Sequence, residues 1–285
     1  MINVTGKKLV QSVHAVLLTL CALCLLFPVL ILVVNSLESP NEVIMYYYSG
    51  KEREFYRFVP EMFSLKQYYE ALLGNRTYIN AMMNSILYSC PVTLVQLLLT
   101  IPAAFGLGTY CHRGRKAVVA VLLLLMLLPY QAIEIPNYMF MREIGLIGQR
   151  LAVILPNLFQ PFSFCILLFL IMSIDREQME AAELDGAGLF HVIVRIVLPQ
   201  ILSGIMIVFL LQFIDMWNMT EQPLIFLEKT EDMPLSILLP ELTDSNPGYA
   251  FGFSVIFLLP VALLYYSFHK EIAEELSGEA IQIKR

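Results

Sequence analysis

One stretch of this 285-residue sequence combines side-chain types and spacing that suit work on another molecule. It reads Glu180-Ala181-Ala182-Glu183-Leu184-Asp185-Gly186-Ala187-Gly188 and continues, largely apolar, to Arg195-Ile196-Val197-Leu198-Pro199. Met179–Leu184 are good helix formers. Gly186 suits the left-handed conformation that ends a helix, and Pro199 suits the first turn of a following helix. Two alanines beside Glu180 leave a low surface with one carboxylate, which a second protein can approach closely. The expected chemistry is docking through a charge-assisted hydrogen bond, with no covalent step. Glu180, Ala181, Ala182, Asp185, Gly186, Leu198 and Pro199 are the candidate residues.

A second set lies in apolar surroundings, where an ionised side chain costs about 2.5–3.5 kcal/mol at a bilayer centre and normally faces a bundle interior or water. Asp215 precedes Trp217-Asn218, and a polar group beside an indole suits the hydroxyls and C–H face of a sugar. Asp215 therefore either lines a path or makes a structural hydrogen bond. Glu134, between Pro129 and Pro136, either gates a path or reaches interfacial water. Asn80, Asn84 and Gln96 either satisfy neighbouring helices or line a path.

Other chemistry is not expected. The sequence holds no G-x-x-x-x-G-K-[ST], H-E-x-x-H or G-x-S-x-G pattern, so no catalytic residue and no nucleotide site is assigned. Cys21 and Cys24 spell C-x-x-C, but neither a second pair nor a nearby histidine completes a metal site. These two, with Cys90, Cys111 and Cys165, read as small thiols in or beside apolar runs. His14, His112, His191 and His269 read as ordinary interface residues.

The elements that must position these groups follow from composition. Hydrophobic residues make up 58% and Asp, Glu, Lys and Arg 15%, against about 45–50% and about 25% in soluble domains. Charge-free stretches run Leu9–Leu37, Thr77–His112, Ala117–Ile133, Leu151–Ile174, Ile196–Ile214 and Ser245–His269, and about 20 apolar residues cross a bilayer as a helix. The expected fold is an all-α integral membrane protein with six transmembrane helices and a two-helix cytoplasmic loop at 175–198. It forms a single domain over 1–285, with spans near 10–34, 78–108, 117–139, 151–173, 199–219 and 248–269. Runs such as Leu122–Leu128 lack the alternation of a membrane β-barrel. A net charge of −6 without blocks of like charge gives no footprint for nucleic acid. Lys7 and Lys8 followed by an apolar run imitate a signal peptide, but the run reaches Val34, well beyond the about 7–15 residues of such a region, so an uncleaved anchor is expected.

Orientation follows from Lys and Arg in short loops. Lys7, Lys8, Arg113, Arg115, Lys116, Arg176, Arg195, Lys270, Lys284 and Arg285 fall on one side, so both termini are expected in the cytoplasm. On the other side, loop 36–76 carries Tyr46, Tyr47 and Tyr48, a Ser49-Gly50 turn signal, then Phe55, Tyr56 and Phe58. It forms either a short interfacial hairpin or an irregular loop. The acidic loop Glu221–Asp244 either meets an external protein or simply connects spans.

The spacing E-A-A-x3-G-x9-I-x-L-P, carried by Glu180, Ala181, Ala182, Gly186, Ile196, Leu198 and Pro199, resembles the cytoplasmic-loop motif of permease subunits of binding-protein-dependent ABC importers. Asn84-Ser85, Pro102-Ala103-Ala104, Leu128-Pro129, Ile135-Pro136, Gly145-Leu146-Ile147, Trp217-Asn218 and Gly278-Glu279-Ala280-Ile281 with Lys284 resemble the carbohydrate (maltose-type) class. Asp175 and Ser203 depart from positions where that class often has proline, and Met219-Thr220 from an acidic–aromatic pair. The resemblance implies a subunit that is not an enzyme and binds no cofactor, ATP being used by its partners. Those partners are a second homologous permease, two ATPase subunits, an extracytoplasmic solute-binding protein and membrane lipid. It implies that the 175–198 loop sits in a cleft of an ATPase. Permeases for polyamine, phosphate or peptide share the loop motif, and an ion-coupled secondary transporter using Asp215 and Glu134 is the reading from another class.

Overall fold

A computed structural model describes residues 4–48, 59–110 and 113–277. Cys111, His112, Ser49, Gly50, Phe55, Tyr56, Phe58 and the segment Gly278–Arg285 lie outside the described residues. The main elements are helices α1 (Val4–Asn35), α2 (Arg76–Thr109), α3 (Arg115–Leu127), α4 (Tyr130–Glu143), α5 (Pro161–Met172), α6 (Arg176–Leu184), α7 (Leu189–Gln200), α8 (Leu202–Trp217), α9 (Leu235–Ser245) and α10 (Ala250–Ser277). Extended pairing among the described residues is one isolated antiparallel bridge between Glu38 and Phe63.

Four segments are long and apolar enough to cross a membrane: Ser12–Asn35, Arg76–Thr109, Arg150–Met172 and Pro247–Ala273. Two bent pairs, α3 with α4 and α7 with α8, raise the number to six if each forms one span. The breaks have identifiable causes. Leu128 and Pro129 are extended (ψ 129° and 139°) between α3 and α4, because the residue before proline is pushed out of the helical region. Gln160 is likewise extended before Pro161, the first residue of α5. Pro199, expected in the first turn of the helix that follows the loop, lies instead in the last turns of α7, and an 80° bend at Ile201 precedes α8. Pro91 and Pro102 lie within α2 without ending it.

The chain divides into two compact units, Met1–Ile79 with Leu239–Leu258, and Asn80–Leu238 with Leu259–Arg285. In the first, the buried Gln67 side chain is an internal staple. Its Nε2 donates to the carbonyls of Asn35 (3.0 Å) and Glu38 (2.9 Å), and its Oε1 accepts from the Gly252 amide (2.8 Å). A Cβ at Gly252 would sit 2.5 Å from the Gln67 Cβ, so only glycine admits this approach. Tyr78 donates to the Phe253 carbonyl at 2.7 Å, with the rings 4.6 Å apart. Tyr46, Tyr47 and Tyr48 wind into a π-helical turn, Ile44–Tyr48, instead of one arm of a hairpin. The Tyr47 hydroxyl donates to Asn35 Oδ1 at 2.7 Å and its ring meets Phe251 edge-on, contacts that fix the turn.

In the second unit, buried residues of α2 (Leu97, Ala104, Phe105), α5 (Phe164, Leu167, Leu168, Ile171) and α8 (Val208) form one core with Met179 of α6 and Val192 and Val197 of α7. Gly204 of α8 brings that helix against Leu170 of α5. Gln212 donates to the Ser163 hydroxyl at 2.7 Å, a buried polar pair on the same two helices. A separate cluster joins Tyr88, Met141, Ala152, Val153, Phe226 and Leu227.

Candidate functional site

The elbow of α6 and α7 is built by local hydrogen bonding. At the end of α6 the Gly186 amide bonds to the Glu183 carbonyl (3.0 Å) and the Ala187 amide to the Ala182 carbonyl (2.9 Å), the paired bonds of a Schellman cap. Gly186 has φ +85°, a conformation that L side chains rarely adopt, although open space surrounds the position of its absent Cβ. The constraint is therefore on the backbone alone. Gln200 Nε2 donates to Gln178 Oε1 at 2.9 Å, tying the end of α7 back to α6.

Burial divides the elbow into a base and a tip. Met179, Val192 (0% exposed) and Val197 enter the core, whereas Glu180, Ala181, Asp185 and Gly186 are exposed, Ala182 and Leu198 half-buried and Pro199 exposed. Beside them Leu184 is 89% and Phe190 80% exposed, with Leu189 also outside. These apolar side chains beside the glycine turn stand outside the core and are free to meet a partner surface. The sequence reading missed these three, although Leu184 and Phe190 flank the glycine turn. Among the described residues nothing donates to the Glu180 carboxylate, while Glu183 accepts the Tyr110 hydroxyl at 2.8 Å. That bond, more than burial, pushes the Tyr110 phenol above its ordinary range. The elbow is further tethered by Arg176, whose Nη2 donates to the Thr109 carbonyl at the end of α2 (2.7 Å).

The residues proposed for a path are not gathered in one place. Asp215 on α8 and Asn218, the residue that caps its end, are both exposed and continue a stripe with Leu211. Trp217 is 1% exposed, stacked on Phe213 with ring centroids 5.6 Å apart. Residues two apart on a helix point in nearly opposite directions, so the carboxylate and the indole do not form one surface. Glu134 is 8% exposed, with Oε1 buried and unpartnered among the described residues. Near it in sequence, Gln131 donates to Glu221 at 3.1 Å.

The first half of α2 carries a polar clamp. Asn84 Nδ2 donates to the carbonyls of Glu231 (2.7 Å) and Met233 (3.1 Å), Tyr88 to that of Asp232 (2.9 Å), and the Ser85 hydroxyl accepts the Leu235 amide (2.8 Å). Arg150 pairs with Asp232 at 2.8 Å. A cavity of about 650 Å³ opens here, lined by Asn80, Asn84, Cys90, Arg150, Glu231 and Asp232 among others. Gln96, lower on α2, is buried with both amide atoms unpartnered among the described residues.

Residues 76–273, which include the clamp, the elbow and α8, match the family of binding-protein-dependent transport system inner membrane components. The chain belongs to that family. Among its relatives, the arabinooligosaccharides transport system permease protein AraQ of Bacillus subtilis is 26% identical over 266 residues, covering 91% of this chain and 92% of AraQ. This transport-system fold also superimposes on a chain of a bacterial ABC transporter involved in import of the acidic polysaccharide alginate. The TM-score is 0.77 with 22% identity, over 94% of this chain and 98% of that one. A second alginate transporter structure, in complex with a periplasmic protein that carries an alginate pentasaccharide, matches at TM-score 0.62 and 18% identity, over 93% and 96%.

Proposed function

We infer that this chain is a permease subunit of an ATP-driven importer for a sugar or oligosaccharide, and that the elbow is its coupling site. The observation that carries the reading is the division within the elbow: a base locked into the core and a tip that exposes Glu180, Leu184, Asp185 and Phe190 around a backbone-fixed glycine. A rigid base with an exposed apolar and acidic tip suits a cleft on a separate ATPase. Closure of two ATPase copies on ATP then shifts the elbow as a body, and the spans follow because α6 and α7 share their core with α2, α5 and α8. Such coupling requires contacts that differ between the two states. Glu180 supplies the charge-assisted contact, and Ala181 and Ala182 keep the approach close.

In this reading the chain is one permease domain of six spans in the cell membrane, with both termini in the cytoplasm. A second homologous permease completes the pathway and an extracytoplasmic solute-binding protein delivers substrate. Asp215 and Asn218 line the path from their exposed face, Glu134 gates it, and Trp217 holds α8 in register. ATP is bound by the partners. Arabinooligosaccharide and alginate as cargo of relatives support a saccharide substrate.

The test is ATP-dependent uptake of labelled oligosaccharides into proteoliposomes holding the full assembly. Uptake should require the binding protein and ATPases, and Glu180→Ala should abolish it while the permease pair still assembles. Uptake unchanged by Glu180→Ala refutes the coupling role, and uptake of polyamine, phosphate or peptide in place of sugar refutes the substrate class.

A further inference from the structure

At the base of the elbow, away from its tip, a second cavity of about 270 Å³ lies where the end of α2 meets the starts of α3 and α6. Arg115 and Arg176 line it. Each spends one N–H on a carbonyl closing α2, Arg115 Nη1 on Gly108 (2.9 Å) and Arg176 Nη2 on Thr109 (2.7 Å). A guanidinium carries five N–H donors, and the remaining ones have no partner among the described residues. These arginines are also the first residues of α3 and α6, and neither helix has a side-chain bond at its N-cap, Gly114 or Asp175. The starts of two helices, the positive ends of their dipoles, thus lie beside the two guanidinia that line the cavity. The negative end of α2 is already met by the arginines. Within two residues of these helix starts, Arg113, Arg115, Lys116 and Arg176 outnumber Asp175 and Glu177 by two charges.

Apart from the buried Thr109 hydroxyl, the rest of the lining is apolar, with buried Ile171 and Met179 inside and Met172 exposed at the rim. A cationic floor with an apolar rim suits an amphiphile better than a free ion. At about 30 Å³ per water the space holds roughly nine waters, room for a phosphate and its glycerol but not for a saccharide chain. We propose that this cavity binds the phosphodiester headgroup of an anionic phospholipid, which bridges the base of the elbow to α2 and α3. The lipid as source rests on the placement of the elbow at the cytoplasmic leaflet, where basic pockets between spans select such lipids.

The full permease–ATPase assembly, delipidated in detergent and titrated with phosphatidylglycerol, phosphatidylcholine or inorganic phosphate, tests this by native mass spectrometry. Phosphatidylglycerol should be retained with about a tenfold preference over phosphatidylcholine. The pair Arg115→Gln with Arg176→Gln should erase the preference, the pair Arg115→Lys with Arg176→Lys should largely keep it, and Arg142→Gln, outside the cavity, should leave it intact. If the glutamine pair fails to assemble, each single glutamine variant should lower the preference about threefold. Equal retention of the two lipids, a preference that survives the glutamine changes, or inorganic phosphate displacing the lipid would overturn the proposal. Because the readout is lipid binding, an assembly that keeps phosphatidylglycerol but imports no sugar counts against the substrate assignment and not against this site.

Discussion

The elbow and the last turns of α8 both hold a carboxylate, an aromatic and a small or polar neighbour within a few residues, yet they resolve differently. In the elbow the key groups surround a turn, and the turn is set by two backbone bonds at Gly186; the side chains around it are turned outward together. On α8 the groups share a continuous helix, so each successive position rotates, and Asp215 and Trp217 end on opposite sides. A turn gathers neighbours in sequence into one surface, whereas a helix distributes them. Sequence proximity is therefore a sound guide to a site in the first case and a poor one in the second.

The largest expected effect separates the two faces of α8. Trp217→Ala should cost about 3–5 kcal/mol of stability as the stacked, buried indole is lost, while Asp215→Asn should stay within about 0.5 kcal/mol. Thermal melting of the solubilised assembly measures both, and equal losses would break the comparison. In the elbow, Phe190→Asp should weaken ATPase binding by about 2 kcal/mol, roughly thirtyfold, as truncation of an exposed aromatic anchor does, with the melting temperature unchanged. Titration of ATPase onto the permease pair reads this. Gly186→Val should cost about 1–2 kcal/mol by backbone strain alone, because no atoms crowd the site. Gly186→Asn should cost less, and uptake rates should follow that order.

The smallest effect concerns the tether at Tyr110. Its phenol is raised above the ordinary range, so the folded elbow holds that proton more tightly than the unfolded chain does. The contribution is present below the ordinary phenol pKa of about 10 and is lost as pH climbs through the raised value. Hydrogen exchange of α6 amides should quicken over that interval in the native chain. Tyr110→Phe should show slightly faster exchange throughout, without the alkaline step.

The long apolar helices were legible because a charge-free run of about 20 residues is the composition a membrane-crossing helix needs. α1 and α2 emerge within a few residues of their expected ends, apart from the extra turns at the start of α1. The bends were less legible. Pro129 marked a break, but the 80° turn at Ile201 follows no proline at that position, and Pro199 looked like the start of span five when it closes α7. Val197 near the α7 end is buried in the same core as Ile201 and Val208, a packing no proline signals. The motif positions of the elbow were legible, its apolar tip was not, since Leu184 and Phe190 look like any core residues until burial is known. The clamp from Asn84, Ser85 and Tyr88 to Glu231–Leu235 joins residues about 150 apart, a distance over which no local pattern carries information.

In the proposed mechanism a separate ATPase grips the exposed tip of the elbow from the cytoplasm. Ala181→Cys, in a chain whose own five cysteines are replaced by serine, places a single thiol on that tip for a membrane-impermeant maleimide. The account predicts labelling in inside-out vesicles, none in sealed right-side-out vesicles, and protection once ATPase subunits are bound. Labelling from the outside, or labelling that bound ATPase leaves unchanged, would contradict it.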